Sequence, residues 1–210
     1  MARQSNKHKD KPRKPKQNNR FANPRKPDIK AIKGMAVCGH VRAEYIEDIW
    51  SARRIRSFTE ERLIEKVSYA TKKGSIVCYK LTERGVNYAK KYIIPGHQIY
   101  ASKSIVHDVY MSDHYFTKMS DTERETIKTE TEIKSEFKEM LVSGEISKYT
   151  YDSCSCVDFS YTSDSGEIIG YEVVTDNYTQ QDIQAKQTFC RVYGCTYQEV
   201  RAQSGEVRYE

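Results

Sequence analysis

The sequence contains no long apolar run. No stretch reaches the roughly 18 consecutive apolar residues that a membrane-spanning helix needs. The first residues are basic and lack the apolar segment of a secretory signal. These two absences argue against an integral membrane protein and against a secreted one. We therefore predict a cytoplasmic protein with no membrane partner.

Cysteine is sparse and irregularly placed. The six cysteines, at positions 38, 78, 154, 156, 190 and 195, lack the dense regular spacing of a disulfide scaffold, so a reducing compartment is expected. Cys154, Cys156, Cys190 and Cys195 are one conceivable zinc set. A Cys-x-Cys pair, however, lacks the geometry of a Cys-x2-Cys zinc knuckle. We expect buried thiols and no zinc.

Apolar content is also low, and charge is unevenly distributed. The 210 residues are 38% hydrophobic, which is enough for the packed cores of two small domains. Residues 1–30 contain 11 basic and 2 acidic residues, residues 31–93 contain 13 and 7, and residues 94–210 contain 11 and 20. The net charges of the three segments are therefore +9, +6 and −9. This asymmetry predicts a polyanion partner for the first half and gathered carboxylates in the second.

Residues 1–30 have almost no apolar side chains. They mix Lys, Arg, Asn, Gln and Pro, and such a segment cannot offset the entropy lost on ordering. We predict a disordered basic arm. It is either a solubilising tail or a source of additional phosphate contacts, and the basic segment beside it favours the contacts.

Residues 31–93 predict a winged helix-turn-helix domain. Amphipathic spacing and capping residues predict four helices, and two β-rich runs predict a hairpin between the third and the fourth. The predicted order is helix 31–38, helix 41–50, helix 52–61 capped by Ser51, strand 63–69, turn 71–75, strand 76–81, and helix 82–92 capped by Thr82.

Basic residues fall where such a domain contacts double-stranded DNA. Arg53, Arg54 and Arg56 lie on the predicted third helix, which can enter a major groove and approach guanine edges or phosphates. Lys72 and Lys73 lie at the tip of the predicted wing, within reach of the neighbouring backbone. The alternative is a solvated basic face that contacts another protein.

Residues 94–210 predict an α/β unit, a mixed sheet flanked by helices. The pattern gives helices over 102–118, 121–142 and 180–193, and strands over 149–154, the two arms of a hairpin, and 196–201. His107 and Asp108 lie near the start of the first helix. An adjacent His and Asp can be catalytic, but inside an amphipathic helix the structural role is expected.

The hairpin spans residues 157–174 and carries the candidate site. Two strand-like runs flank a Ser-Asp-Ser-Gly turn, so Asp158 on the first strand approaches Glu172 on the second. Carboxylates held so close repel each other unless a cation or proton lies between them, which favours a divalent metal. Lys186 on the next helix is offered to the same end. The alternative is a pair of acids that are solvated or paired with lysine.

Several short motifs resemble the replication-relaxation proteins of plasmids and phages. They are Leu81-Thr82-Glu83-Arg84-Gly85, Ser104-Ile105-Val106-His107-Asp108-Val109, the acidic helix around Glu130 to Lys134, Val157-Asp158, Tyr171-Glu172-Val173 and Gln184-Ala185-Lys186. The resemblance covers about residues 31–200. It implies a winged helix-turn-helix joined to a domain of the PD-(D/E)XK nuclease type.

The resemblance also implies site residues. Asp158 matches the first acid of the nuclease motif, Glu172 the second, and Glu130 the acid often found on the preceding helix. Together with Lys186 these would be the catalytic residues, and Asp158 and Glu172 would bind Mg²⁺ or Mn²⁺.

Two positions depart from that motif. Val157 replaces its proline, which is harmless, and Val174 stands where its catalytic lysine is expected. A lysine there would stabilise negative charge developing on phosphorus. Lys186, one helix later, is the candidate to take over that role, and without it the acids would bind metal yet cleave poorly.

Three functional hypotheses follow. The first is a DNA-binding protein of a plasmid, phage or other mobile element, acting in replication, mobilisation or transcriptional control, with replication or mobilisation proteins as partners. The second is a metal-dependent endonuclease or nickase. The third is a non-catalytic interaction protein whose degenerate nuclease fold mediates homodimerisation or partner contact. The concordant basic features favour the first.

Overall fold

A computed structural model describes residues 21–71, 74–102 and 104–202. Within these ranges the chain is a mixed α+β protein with nine helices and two sheets, one of which is mixed. This confirms the predicted combination of helices with a mixed sheet. No helix in the described ranges is both long and apolar enough to cross a membrane.

The first half contains four helices and a three-stranded antiparallel sheet of order β1-β3-β2. Ser51 and Thr82 cap α3 and α4 as predicted, each accepting a hydrogen bond from a backbone N–H three residues later. The elements are α1 Lys26–Cys38, β1 Val41–Arg42, α2 Ala43–Ile49, α3 Ala52–Glu60, β2 Ile64–Thr71, β3 Gly74–Leu81 and α4 Glu83–Tyr92.

Residues 21–30 correct the predicted extent of the disordered arm. Helix α1 begins at Lys26, inside the segment expected to lack structure, and Asp28 caps it by accepting a hydrogen bond from the Arg25 N–H at 3.0 Å. Phe21 is buried and packs edge-on against Phe58 at 4.7 Å between ring centroids. The aromatic side chain of Phe21 therefore helps to anchor a segment that is rich in basic residues. Residues 1–20 lie outside the described ranges.

One predicted helix start in this half is also wrong. Residues 41 and 42 form the short strand β1, in which Val41 pairs with Tyr79 of β3 and Arg42 with Cys78. Helix α2 therefore begins at Ala43. The apolar spacing of 41–50 fits a helix, but sheet pairing across 38 residues of chain overrides it, and no local pattern records such a partner.

The second half contains five helices and a four-stranded mixed sheet of order β4-β5-β6-β7. The β4/β5 and β5/β6 pairs are antiparallel, and β6/β7 is parallel with α9 as the crossover. The elements are α5 Ile105–Thr117, α6 Asp121–Glu125, β4 Lys128–Thr129, α7 Glu130–Ser143, α8 Lys148–Asp152, β5 Phe159–Thr162, β6 Ile168–Val174, α9 Gln180–Tyr193 and β7 Thr196–Arg201.

Two predictions in this half are wrong. The helix predicted over 121–142 is broken, because Thr129 and Glu132 form a capping box that starts α7 afresh after β4. The strand predicted over 149–154 is replaced by helix α8, whose cap Ser147 accepts from the Thr150 N–H at 3.1 Å. The strand propensity of the Tyr and Thr residues predicts a strand there, but Tyr149 is exposed and has no sheet neighbour to pack against.

One hydrophobic core runs through both halves. It extends from Phe21 to Ala202, and α5 lies at its centre against α1, β1 and β6. Gly34 permits the close approach of α5 to α1, because a Cβ there would lie 2.4 Å from Cζ of Phe116. A smaller cluster around Phe137 and Phe189 packs α7 against α9. The core thus bridges the predicted domain boundary at residues 93 and 94.

Candidate functional site

The β5–β6 hairpin brings Asp158 and Glu172 together. Asp158 immediately precedes β5, and its backbone N–H donates both to Tyr171 O and to Glu172 Oε2, each at 3.1 Å. Neither acidic residue has any exposed surface. The hairpin register thus places two carboxylates side by side in the interior, where each needs a cationic or hydrogen-bonding partner.

Lys186 is the cationic partner of Glu172. Helix α9 carries it into the interior, where Nζ lies 2.7 Å from Glu172 Oε1 and donates to Cys156 O at 2.7 Å. Tyr178 donates a further hydrogen bond to the same Oε1 at 2.7 Å. An ammonium ion of the chain itself therefore balances Glu172.

His107 is the principal partner of Asp158. The first turn of α5 places its Nε2 2.8 Å from Asp158 Oδ2, which also accepts from the Val173 N–H at 2.8 Å. Burial lowers the pKa of His107, but the carboxylates of Asp108 and Asp158 outweigh burial and raise it to about 9. Burial likewise raises the pKa of Asp158, but His107, Lys186 and the Val173 N–H lower it below the usual range. His107 and Asp158 form a buried ion pair at neutral pH.

Asp108 extends this polar network into the first half of the chain. Its Oδ2 lies 2.7 Å from His40 Nδ1 and accepts from the hydroxyl of Ser102. His40 follows α1, and its Nε2 lies 3.0 Å from the hydroxyl of Tyr69 on β2. Adjacent residues of α5, His107 and Asp108, thus bind different halves of the fold. A continuous buried network runs from the β2–β3 hairpin to the acidic pair.

The pKa of Glu172 lies well above the usual range of a carboxyl group. Burial and the nearby charge of Asp158 raise its pKa to about 7, although Lys186 and Tyr178 oppose the shift. Since Lys186 Nζ and the Tyr178 hydroxyl both donate to Oε1, the carboxylate form is well hydrogen-bonded. The protonation state of the pair therefore depends on whether Lys186 stays in place.

Glu130 lies at the same end of the sheet. It opens α7 directly after Thr129, which pairs with Phe159 of β5. Its side chain is largely buried and pairs with Lys134 Nζ at 2.8 Å. Its charge contributes to raising the pKa of Tyr178, the tyrosine that binds Glu172. Glu130 therefore acts electrostatically on Tyr178, which is one of the donors to Glu172.

Donor groups of the protein itself bind the acidic pair. Three donors surround Glu172, and no cluster of three or more His, Cys, Asp or Glu side chains in the described ranges is arranged to hold a metal ion. A divalent cation at Glu172 Oε1 would compete with the Lys186 ammonium. Asp158 and Glu172 have the oxygen ligands that Mg²⁺ prefers, and Lys186 is the group that limits its access.

The three arginines of α3 have different environments. Arg54 is directed inward, where Nε donates to Asp28 Oδ1 at 2.9 Å and the guanidinium lies over Phe58 at 4.6 Å. It ties α3 to α1, contrary to the expected DNA contact. Arg53 and Arg56 are exposed. Lys72 and Lys73, predicted at the wing tip, lie outside the described ranges.

Sequence reasoning missed most of the network around the predicted acids. The sequence singles out His107 and Asp108 and assigns them a structural role, but it does not single out His40 and Ser102, which contact Asp108, or Tyr178, which contacts Glu172. The only local signal was the placement of a His-Asp pair on the apolar side of a predicted helix. His40 and Tyr178 lie in short connections, where no periodicity indicates burial.

Comparison with protein-family models, curated proteins and solved structures found no match for this chain.

Proposed function

We propose that the chain binds double-stranded DNA through α3 and the β2–β3 hairpin. The observation that carries this proposal is the geometry of α3. The Arg54–Asp28 ion pair fixes one side of the helix to the core, while Arg53 and Arg56 are held on the solvent side. An anchored helix with exposed arginines can insert into a major groove without a further loss of conformational entropy, because it is already ordered.

The order of elements supports the same proposal. Helices α1 to α3 are followed by the β2–β3 hairpin and α4, and β1 completes a β1-β3-β2 sheet. This is the arrangement expected of a winged helix-turn-helix domain, with β2–β3 as the wing. Residues 1–30 and 31–93 carry +9 and +6, so they favour the phosphate backbone on any sequence.

The test measures the affinity of the full chain for a fluorescent random-sequence DNA duplex by anisotropy. Arg53→Ala and Arg56→Ala should each weaken binding and lower the slope of log K against log salt by about 0.9, because on random sequence each arginine acts through a phosphate contact. Arg191→Ala removes an exposed arginine from α9 and is the matched control. Unchanged affinity in both α3 variants would place the DNA surface elsewhere.

The biological setting that we propose is a plasmid, phage or other mobile element. The protein would act there in replication, mobilisation or transcriptional control, as a homodimer on DNA or together with replication or mobilisation proteins. This part rests on the motifs that resemble the replication-relaxation proteins. Light scattering of the chain with and without duplex DNA tests the dimer.

A second candidate function is a metal-dependent DNA endonuclease or nickase. It is favoured by the meeting of Asp158, Glu172 and Lys186 at one end of β5 and β6, with Glu130 nearby. The β4-β5-β6-β7 order, with α9 as crossover, is compatible with a nuclease-like domain of the PD-(D/E)XK type. Bound Mg²⁺ or Mn²⁺ would activate water and neutralise charge at the phosphate.

Incubation of supercoiled and branched DNA with the protein in Mg²⁺ or Mn²⁺ decides between the candidates. A nuclease should nick or cut, and Asp158→Asn should abolish cutting while Arg191→Ala retains it. DNA binding without cleavage on either substrate would leave the first proposal standing alone. Absence of both binding and cleavage would favour a non-catalytic interaction protein.

A further inference from the structure

Cys190 and Cys195 face each other at the C-terminal end of α9. Gly194 follows the helix in the left-handed conformation, with φ of 84°, and the Cys195 N–H donates back to Cys190 O at 2.9 Å. This is a Schellman turn, in which the residue three before the helix end and the second residue beyond it contact each other. In this chain both contacting residues are cysteines, and no disulfide joins them.

Gly170 of β6 locates the two sulfur atoms. A Cβ added at Gly170 would lie 2.9 Å from Sγ of Cys190 and 2.9 Å from Sγ of Cys195. Both thiols therefore press on the same point of the sheet, and the hydrogen bond between them alters the pKa of each. Disulfide formation requires two sulfurs on close backbones with converging side chains, which is the arrangement here.

We propose that Cys190 and Cys195 form an oxidisable dithiol, a modification site that closes to a disulfide across the end of α9. The oxidant it would take is a hydroperoxide. The site is independent of the proposed DNA surface.

The environments of the two thiols differ in the way such a reaction needs. Cys195 is partly exposed, and the hydrogen bond from Cys190 lowers its pKa, so it is the attacking group. Cys190 is buried, and the same hydrogen bond together with burial raises its pKa, so it remains a thiol until a reactive sulfur forms beside it. The pair thus has an accessible and a resolving member.

The chemistry balances without a further reactant. The Cys195 thiolate attacks one oxygen of the hydroperoxide, the O–O bond breaks, and a sulfenic acid forms with release of water or alcohol. The Cys190 sulfur then attacks the sulfenic sulfur, an S–S bond forms, and the S–O bond breaks to release a second water. The two thiols lose two electrons and two protons, and the peroxide is reduced.

Formation of the disulfide would restrain α9, the helix that carries Lys186. Cys190 lies one helical turn beyond Lys186, and Cys195 leads directly into β7. A disulfide would tie the end of α9 to the start of β7 and restrict fraying of the last turn. It would thereby hold Lys186 more firmly on Glu172.

The experiment treats the full chain with hydrogen peroxide, blocks the remaining thiols under denaturing conditions, and maps tryptic peptides by mass spectrometry. Trypsin cleaves after Lys186, Arg191 and Arg201, so the expected product joins segments 187–191 and 192–201. That product should carry two fewer hydrogens than the separate segments. Oxidised protein should also melt at a higher temperature than reduced protein.

Three variants make the test specific. Cys195→Ser should abolish both the cross-link and the thermal shift, whereas Cys154→Ser, which removes a comparable half-buried thiol, should retain both. Gly170→Ala should slow the cross-link, because its methyl group displaces the sulfurs. Cys190 and Cys195 both recovered as blocked thiols from oxidised wild-type protein, or a cross-link between other cysteines, would overturn the proposal whatever the variants do.

Discussion

At the scale of single residues, His107 determines how the buried network responds to pH. Its pKa is raised to about 9, so folding favours the protonated form. The stabilisation is complete below the unfolded pKa of 6.5 and is lost as pH rises through about 9. Glu172, whose pKa is raised to about 7, adds a loss of the same sign between pH 4.5 and 7. The lowered pKa of Asp158 acts in the opposite direction, but only in acid.

We therefore expect His107→Asn to flatten the fall in unfolding free energy at the alkaline end. The part of the wild-type fall between pH 6.5 and 9 that the variant removes should be about 3 kcal/mol, as an order of magnitude. Urea denaturation over this range measures it. Val142→Ala, at an exposed residue without an ionisable group, is the control and should keep the wild-type slope. Parallel curves for wild type and His107→Asn would contradict a charged, buried His107.

Lys186 is the second residue whose replacement has a defined outcome. Lys186→Met should lower stability by about 3–5 kcal/mol, because it leaves a buried Glu172 without a counter-ion. Lys186→Met combined with Glu172→Gln should recover part of the loss. Lys134→Met breaks the more exposed pair with Glu130 and should cost less than about 1 kcal/mol. A double variant no more stable than Lys186→Met would show that the two side chains act independently.

At the scale of elements, three neighbouring arginines of α3 have different roles where this helix packs near α1. Asp28 is buried and Arg54 is its ion-pair partner, while Arg53 and Arg56 project into solvent. Under the proposed function, DNA affinity would report on the exposed pair Arg53 and Arg56, whereas stability reports on the anchor Arg54.

Arg54→Ala should lower the free energy of unfolding by about 2–4 kcal/mol, because it strands the Asp28 carboxylate and removes the guanidinium from the Phe58 ring. Arg53→Ala and Arg56→Ala should stay within about 0.5 kcal/mol of wild type. Chemical denaturation of the three variants measures this. Equal stabilities across all three would mean that Arg54 has no anchoring role.

At the scale of the whole molecule, α5 packs against elements of both halves, so we expect the two halves to unfold as one cooperative unit. Met111 and Val109 lie in the shared core, which also contains Trp50, the only tryptophan of the chain. The fluorescence of Trp50 therefore reports unfolding of the first half alone. A destabilising substitution in the second half will shift the Trp50 transition only if the two halves unfold together.

Met111→Ala should shift the urea midpoint seen by Trp50 fluorescence, by an amount corresponding to about 2–5 kcal/mol. The midpoint from far-UV circular dichroism should shift with it. Val142→Ala, at a strongly exposed residue of α7, is the control and should leave both midpoints unchanged. A Trp50 transition that does not respond to Met111→Ala would show that residues 31–93 fold independently.

The sequence by itself determined the elements whose signals are local. The hairpin 157–174, helix α9, strand β7 and the caps Ser51 and Thr82 lie as predicted, because turn residues, periodicity and capping chemistry act over a few positions. The meeting of Asp158 with Glu172 also followed, since hairpin register alone fixes it.

Only the tertiary structure decided the partners of those elements. Strand β1 exists because Val41 meets Tyr79, Arg54 is an anchor because Asp28 lies beneath it, and His107 is charged because Asp158 approaches it from a different element. Each of these depends on a contact between residues far apart in sequence. Periodicity indicates which side chains are buried, whereas the neighbour that satisfies a buried charge is chosen by how the elements pack.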